Sequence, residues 1–437
     1  MSKDAPDWIR FLYCDLSGIV RGKATYKYSD KKLLNGVALN RGILALNFAD
    51  QMQSYDEFGA VGDIRLRPDD EHYVTVGHPK NTGVILCDIV QEDGSEFECC
   101  PRTILKRQVE KARKAGLYFE AAFEPEFYVL RRDASDQIVP IDKSRAFSSE
   151  GMNEAAELID SFARALTVAG MTVEQYNAEH GHGQHELSIH HTQPVSAADN
   201  HLLYREILRS EAAAHGLIAS LCPKPFHDTA GSGCHVHLSV WDLKSKTNAL
   251  VADGELSDLA KSFIAGLIEH MPAIVAFGCT CTNSYDRIQP QSASSAYNCW
   301  GHRNREAAIR VPPPIHSDAN ASTNLEIRFV DNSCNPYLFL AAVIAAGLDG
   351  IERKLPAPKP IDCDPSHLDP QALKKLKIQR LPHSLMDAVN ALDHDAFMHE
   401  TFGEKFMQLY CRVKRSEHDH FASMSFDERS WHHLSAF

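Results

Sequence analysis

Several features that would assign a function class at once are missing from this chain. The longest strongly apolar stretch lies near Leu338–Leu348, well short of the roughly 20 residues needed to span a bilayer. The first ten residues, MSKDAPDWIR, lack the charged-then-apolar order of a secretory signal. The twelve cysteines include no Cys-x-x-Cys pair, so zinc-finger spacing is absent and the thiols read as reduced and mostly buried. Basic charge is not in excess: 45 Lys+Arg against 58 Asp+Glu give a net charge of −13, which argues against a general nucleic-acid or acidic-membrane binder. No Walker-type glycine loop and no repeat with a period of 20–50 residues is visible. The expectation is a soluble, cytoplasmic protein that binds neither nucleic acid nor membrane.

What is present is a large globular composition, with 44% apolar and 24% charged residues over 437 positions. At about 150 residues per domain this allows two or three domains. FLYCDLSGIVRGKATY predicts two strands around Ser17-Gly18, and GDIRLRPD and TGVILCDIV add more. Pro101 opens a helix with apolar positions Ile104, Leu105, Val109 and Ala112, closed by Gly116. A boundary is placed there, with domains at 1–100 and 101–437.

In the second part, strands and helices mix. Residues 116–130 predict a strand whose internal Pro125 places it at an edge or a bulge. Residues 151–169 predict a helix closed by Gly170, and 195–216 a long one. Further strands are expected at 172–177, 184–190, 234–241 and 326–330.

Four of these strands carry charge on one face and apolar groups on the other. Glu124 and Glu126 are two apart, as are His235, His237 and Ser239, and Glu326 and Arg328. Period-two alternation puts each set on one side, backed by Phe123, Val236 or Ile327. Unpaired buried charge is costly, so these faces line a solvated cavity. One glutamate on a strand is ordinarily just a solvated face. Five carboxylates with an imidazole, counting Glu179 and Glu186 of EHGHGQHE, fit hard divalent cations such as Mg²⁺ or Mn²⁺ better than zinc. Arg287, Arg303, Arg305, Arg310 and Arg328 add a cationic element suited to phosphate and carboxylate oxygens, or to ordinary surface ion pairs. Metals and arginines without a nucleophile motif point to phosphoryl transfer by charge neutralisation.

The ordered series DLSGIVRGKA, RLRPD, EPEF, AEHGHGQHE, GSGCHVHLS, NSYDRIQP, RNREAAIRVP, EIRFVDNSCNPY and LPHSLMDAVNALDHD resembles the glutamine synthetase superfamily over essentially the whole chain. The resemblance implies an α+β fold: an N-terminal β-grasp domain and a catalytic domain built on a curved antiparallel sheet with helices. It implies ATP-dependent amide formation through γ-glutamyl phosphate. Two or more Mg²⁺ or Mn²⁺ ions per site are implied, with ATP as co-substrate and L-glutamate and an amine as partners. Glu126, Glu179 and Glu186 match the ligands of the first metal; Glu124, His235 and Glu326 match those of the second. Arg287 and Arg328 match the arginines on the glutamate carboxylate and transferring phosphoryl group, with Arg305 alongside them in catalysis. Arg305 and Arg310 match the phosphate clamp. Glu174, His237 and Ser239 fall at the nucleotide, and Gly231 and His235 at glutamate. A homo-oligomer is implied, usually a dodecamer of two stacked hexameric rings with sites shared between neighbours.

The chain departs from that pattern around the nitrogen donor. Where the family carries a flap glutamate six residues beyond the Arg, this sequence has Ala293, in a stretch without charge from Gln289 to Asn298. The Asp-Gly-Ser-Ser segment is replaced by FADQMQSYDEFG, where Asp50 and Asp56 are the candidates to stand in as base. Ala230 replaces an Asn, Asn324 an Arg, and no adenylylation tyrosine motif stands near 370–385. The resemblance therefore falls nearest the branch that joins glutamate to mono- or polyamines. Its rivals are a divergent enzyme using ammonium and a non-catalytic member. The neutral flap leans toward a monoamine.

Overall fold

The computed structural model describes residues 6–27, 33–69 and 73–437. Trp8–Cys14 pairs antiparallel with Val20–Tyr26 around the Ser17-Gly18 turn, and parallel with Thr82–Leu86. Val74–Val76 completes this four-stranded sheet; Val37–Asn40, Asp63–Arg67 and Asp88–Gln91 form a second, three-stranded one. The turn is pressed against the rest of the chain. Gly18 has φ +78°, and a Cβ there would collide with the Ser333 carbonyl oxygen. Asn335 Nδ2 donates to the carbonyls of Cys14 and Asp15 at 3.1 and 3.0 Å. Glu417, on the helix Glu404–Phe421, accepts from Phe48 N at 2.9 Å, from the Ser17 hydroxyl, and from the fully buried Lys414 Nζ at 2.8 Å.

The helix predicted at Pro101 runs Pro101–Lys114. Ile104, Leu105 and Ala112 are buried, and Gly116 at φ +80° ends it. After it comes a nine-stranded sheet. Its main path runs Val173–Ala178, Gln184–Ile189, Leu117–Arg132, Cys234–Asp242, Leu325–Ile327, Ala307–Val311, Tyr297–His302. All neighbours on this path are antiparallel except the last pair.

Three local expectations are corrected. The strand containing Pro125 is an interior one, with partner strands on both sides. Pro125 is tolerated because it sits where pairing with Cys234–Asp242 on one side ends and pairing with Gln184–Ile189 on the other begins at Glu126. The helix expected over 151–169 is two, Ser149–Glu154 and Ala156–Val168, with Ala155 as the joint. The strand expected over 326–330 keeps ladder pairing only over Leu325–Ile327, after which the chain turns through Asp331 and Ser333.

The core behind the sheet rests on Asp258–Gly278 and Pro336–Glu352. Asp258–Gly278 is, by length and composition, apolar enough to cross a membrane, which the sequence reading missed. It packs inside the protein: a Cβ at Gly266 would collide with the Ala346 carbonyl, and one at Gly350 with the Ser262 carbonyl. These glycines let the two helix backbones touch.

Candidate active site

Strand register assembles the site. Asn177 stands opposite Glu186, and Glu186 opposite Glu126. One step along, Glu124 stands opposite His235. On the far side, His237 pairs with Glu326, and Glu326 with Arg310. Even spacing on each strand puts all these side chains on the concave face, and they line a cavity of about 1230 Å³.

Every residue expected to hold metal lies in that wall: Glu124, Glu126, Glu179, Glu186, His235 and Glu326. So do Gly231, His237, Arg287, Arg305, Arg310 and Arg328. Glu174 and Ser239 do not. A bulge between Val173 and Gln175 turns Gln175 and Asn177 inward, leaving Glu174 outside, bonded to His190. Ser239 Oγ is buried and accepts from Trp241 Nε1 at 2.8 Å. Among the described residues none before Glu124 lines the cavity; Asp50 is paired with Arg21 at 2.8 Å.

The acidic side is electrostatically crowded. Burial, then Glu124, Glu126 and Glu179, pushes Glu186 up to about 10. Burial and Glu179 push Glu126 up to about 7. Burial also raises Glu179. Glu124 behaves oppositely: burial raises it, but His235 and His237 outweigh that and hold it well below the carboxylate range. Burial likewise raises Glu326, which His235, Arg328, His237 and Arg310 bring down to about 2. Burial takes His235 to about 4, whereas Glu124 lifts His237 to about 9 against its burial.

This donor set fits divalent cations. Glu124, His237 and Glu326 hold donor atoms within 4.8 Å of one another, and so do Glu124, Glu186 and His235. Oxygen-rich donors with one imidazole suit Mg²⁺ or Mn²⁺, and a cation relieves the repulsion that raises Glu126 and Glu186. A third such group, Glu269, His270 and Asp349, lies outside the cavity.

The arginines frame the opposite side. Arg328, almost fully buried, donates from Nη1 to Glu326, from Nε to the Arg305 carbonyl at 3.0 Å, and from Nη2 to the Ala293 carbonyl at 3.2 Å. Arg310 Nη1 reaches Glu326 at 2.5 Å. Arg287 donates to the Phe329 carbonyl and lies 3.6 Å from Asp331. Arg305 is exposed at the rim. A Cβ at Gly231 would lie 2.5 Å from Arg287 Cγ, so only glycine lets that arginine lie across the loop.

Supporting residues went unread in the sequence. Gln184 Nε2 donates to Glu126 at 3.0 Å and to the Gly231 carbonyl at 3.0 Å. Asn332 Nδ2 donates to the Glu126 and Gly233 carbonyls at 3.0 and 3.1 Å. Asn324 Oδ1, 2.8 Å from His237 Nδ1, accepts its proton and leaves Nε2 toward Glu124 at 3.3 Å. Both Gln184 and Asn332 sit inside motifs already quoted, but nothing in their spacing marks them as braces.

Across the whole chain, residues 3–97 match the model of the glutamine synthetase N-terminal domain, and residues 98–431 that of the glutamine synthetase catalytic domain. The chain belongs to the glutamine synthetase family. It is 33% identical over 414 residues to gamma-glutamylpolyamine synthetase GlnA3 of Streptomyces coelicolor, covering 93% of this chain and 88% of that one. It is also 33% identical over 426 residues to glutamine synthetase of Thermus thermophilus, covering 94% and 92%. A solved structure of a glutamine synthase homolog superposes with a TM-score of 0.88 at 30% identity, covering 99% of each chain. The α+β glutamine synthetase fold is thus established, and with it an ATP-dependent ligase of a family that uses divalent metals.

Proposed function

We propose that the enzyme joins the γ-carboxylate of L-glutamate to an organic amine, giving a γ-glutamylamide, ADP and phosphate. One observation carries this reading: the expected metal-ligand and arginine side chains share one cavity, while the flap position of the ammonium-side carboxylate is Ala293. The similarity to a gamma-glutamylpolyamine synthetase supports it.

In this reading Glu126, Glu179 and Glu186 hold one Mg²⁺ or Mn²⁺, and Glu124, His235 and Glu326 the other. When bound, the ions neutralise charge on the γ-phosphate of ATP and on the glutamate carboxylate. Arg287 and Arg328 fix the glutamate carboxylate and the transferring phosphoryl group. Arg305 and Arg310 hold the ATP phosphates, and Gly231 offers its carbonyl to the glutamate amino group. His237, in the cavity wall, serves the nucleotide; Glu174 and Ser239, which the family resemblance also assigns there, lie outside that wall. A carboxylate is a poor electrophile; phosphorylation gives it a leaving group, which the amine displaces. Arg328, buried and held on three sides, is preorganised for that charge, so no reorganisation is needed at the moment of transfer.

The assembly proposed is a cytoplasmic ring oligomer, a dodecamer of two stacked hexamers. Among the described residues, none of the first hundred lines its own chain's cavity, which supports a site completed by a neighbour. Through that neighbour, Asp50 or Asp56 would reach the amine side.

A second reading, ammonium as the nitrogen donor, is favoured by the equal identity to a Thermus glutamine synthetase. Phosphate release with ATP, L-glutamate and Mg²⁺ decides between them across ammonium, methylamine, ethylamine, isopropylamine, ethanolamine, putrescine and spermidine, with products weighed by mass spectrometry. An organic amine far above ammonium is expected. Best turnover with ammonium would overturn the proposal.

A further inference from the structure

The flap that is neutral in sequence is not neutral in space. Glu306 follows Arg305 and is thirteen residues from Ala293, yet its Oε1 accepts from the Ala293 amide at 3.0 Å. Its carboxyl lies in the cavity wall. Oε2 is shielded from water and has no hydrogen-bond partner. The Gln291 amide also faces the carboxyl. A clamp on the flap would need only one of the two oxygens. The other face of the same Ala293 residue is held too, its carbonyl accepting from Arg328 Nη2 at 3.2 Å. Glu306 and the guanidinium assigned to the transferring phosphoryl group therefore hold opposite faces of the same residue.

We propose that Glu306 is the carboxylate that receives the protonated amine and takes its proton. The inference rests on the reading of the enzyme as a glutamate–amine ligase, and it replaces Asp50 and Asp56 as the base. R–NH₃⁺ gives one proton to the Glu306 carboxylate. The freed nitrogen lone pair attacks the γ-carbonyl carbon of the acyl phosphate, forming the C–N bond. The C–O bond to phosphate breaks as the second proton leaves nitrogen with the departing phosphate. The groups around Glu306 are mixed: burial and Asp364 oppose its charge, the Ala293 and Gln291 amides and Arg328 favour it, and burial leaves its affinity for a proton raised. That is the direction a proton acceptor needs.

The test uses the full-length enzyme with ATP, L-glutamate and Mg²⁺. Hydroxylamine is neutral near pH 7, so it intercepts the acyl phosphate without needing a base. Glu306→Gln keeps an oxygen for the Ala293 amide but removes the charge and the proton acceptor. The ratio of amine-dependent to hydroxylamine-dependent turnover is expected to fall roughly a hundredfold, with a raised KM for amine. Glu306→Asp should recover part of that ratio. An unchanged ratio in Glu306→Gln, with both rates falling together, would reduce Glu306 to a flap clamp and overturn the proposal. If the wild type prefers ammonium, the organic-amine reading fails, but the ammonium-to-hydroxylamine ratio still tests Glu306 on its own.

Discussion

Glu186 stands directly opposite Glu126 across an antiparallel strand pair, so two half-buried carboxyl groups face each other in the cavity wall. Held up at about 10 by burial and by Glu124, Glu126 and Glu179, Glu186 must take up a proton on folding at neutral pH, which costs stability in the metal-free protein. Glu186→Gln is therefore expected to raise the melting temperature of the metal-free protein. The same change should remove most of the stabilisation that Mg²⁺ or Mn²⁺ gives the wild type, and lower activity by at least about 10²-fold. Scanning calorimetry with and without metal, beside a turnover assay, checks both halves.

Glu126→Ala and Glu326→Ala are expected to abolish detectable ligase activity while leaving the far-ultraviolet circular dichroism unchanged. Loss of one preorganised charge stabiliser costs about 2.7–4 kcal/mol in the transition state, and loss of a metal ligand more. Wild-type turnover in either variant would contradict the ligand assignment.

Restoring a carboxylate on the flap with Ala293→Glu should raise turnover with ammonium relative to organic amines. Ala293 has φ +53°, between Gln291 at +61° and Ser295 at +61°, so a longer side chain carries backbone strain there. The gain is expected in the ammonium-to-amine ratio and not in absolute rate; an unchanged ratio would mean that the flap does not discriminate.

His270 gives a pH signature away from the site. Its Nδ1 lies 2.8 Å from Asp395 and its Nε2 3.2 Å from Asp349. Burial lowers its pKa, but the two carboxylates outweigh that and raise it above 6.5. A raised folded value means that protonation stabilises the fold fully below about pH 6.5, and that this contribution is lost as pH rises through the folded value. The melting-temperature gap between wild type and His270→Gln should be widest in mild acid and narrow toward alkaline pH.

Gly266→Ala is expected to destabilise by about 1–3 kcal/mol, because its Cβ would press on the Ala346 carbonyl and on Gly350 across the helix contact. Urea titration of the variant measures the loss.

The strand faces were legible because alternation is a local property: Glu124 and Glu126, and His235 and His237, reach the cavity as period two requires. The exceptions come from non-local or sub-residue causes. Glu174 is turned out by one bulge, which no composition signals. Pro125 could be interior only because two different partner strands meet at its position. Glu306 escaped notice because its importance lies in touching Ala293, a contact between segments that spacing does not reveal. The helix Asp258–Gly278 was overlooked because Lys261, Glu269 and His270 interrupt its apolar run.

Glu417 ties the Ser17 turn and Phe48 to a helix that begins at Glu404. During synthesis the Ser17 turn waits for a segment some 400 residues further along the chain before that buried carboxylate, paired with Lys414, can be matched. A chain truncated before Glu404 keeps the Asn335 bonds to the turn but loses the carboxylate that joins Ser17 to Phe48.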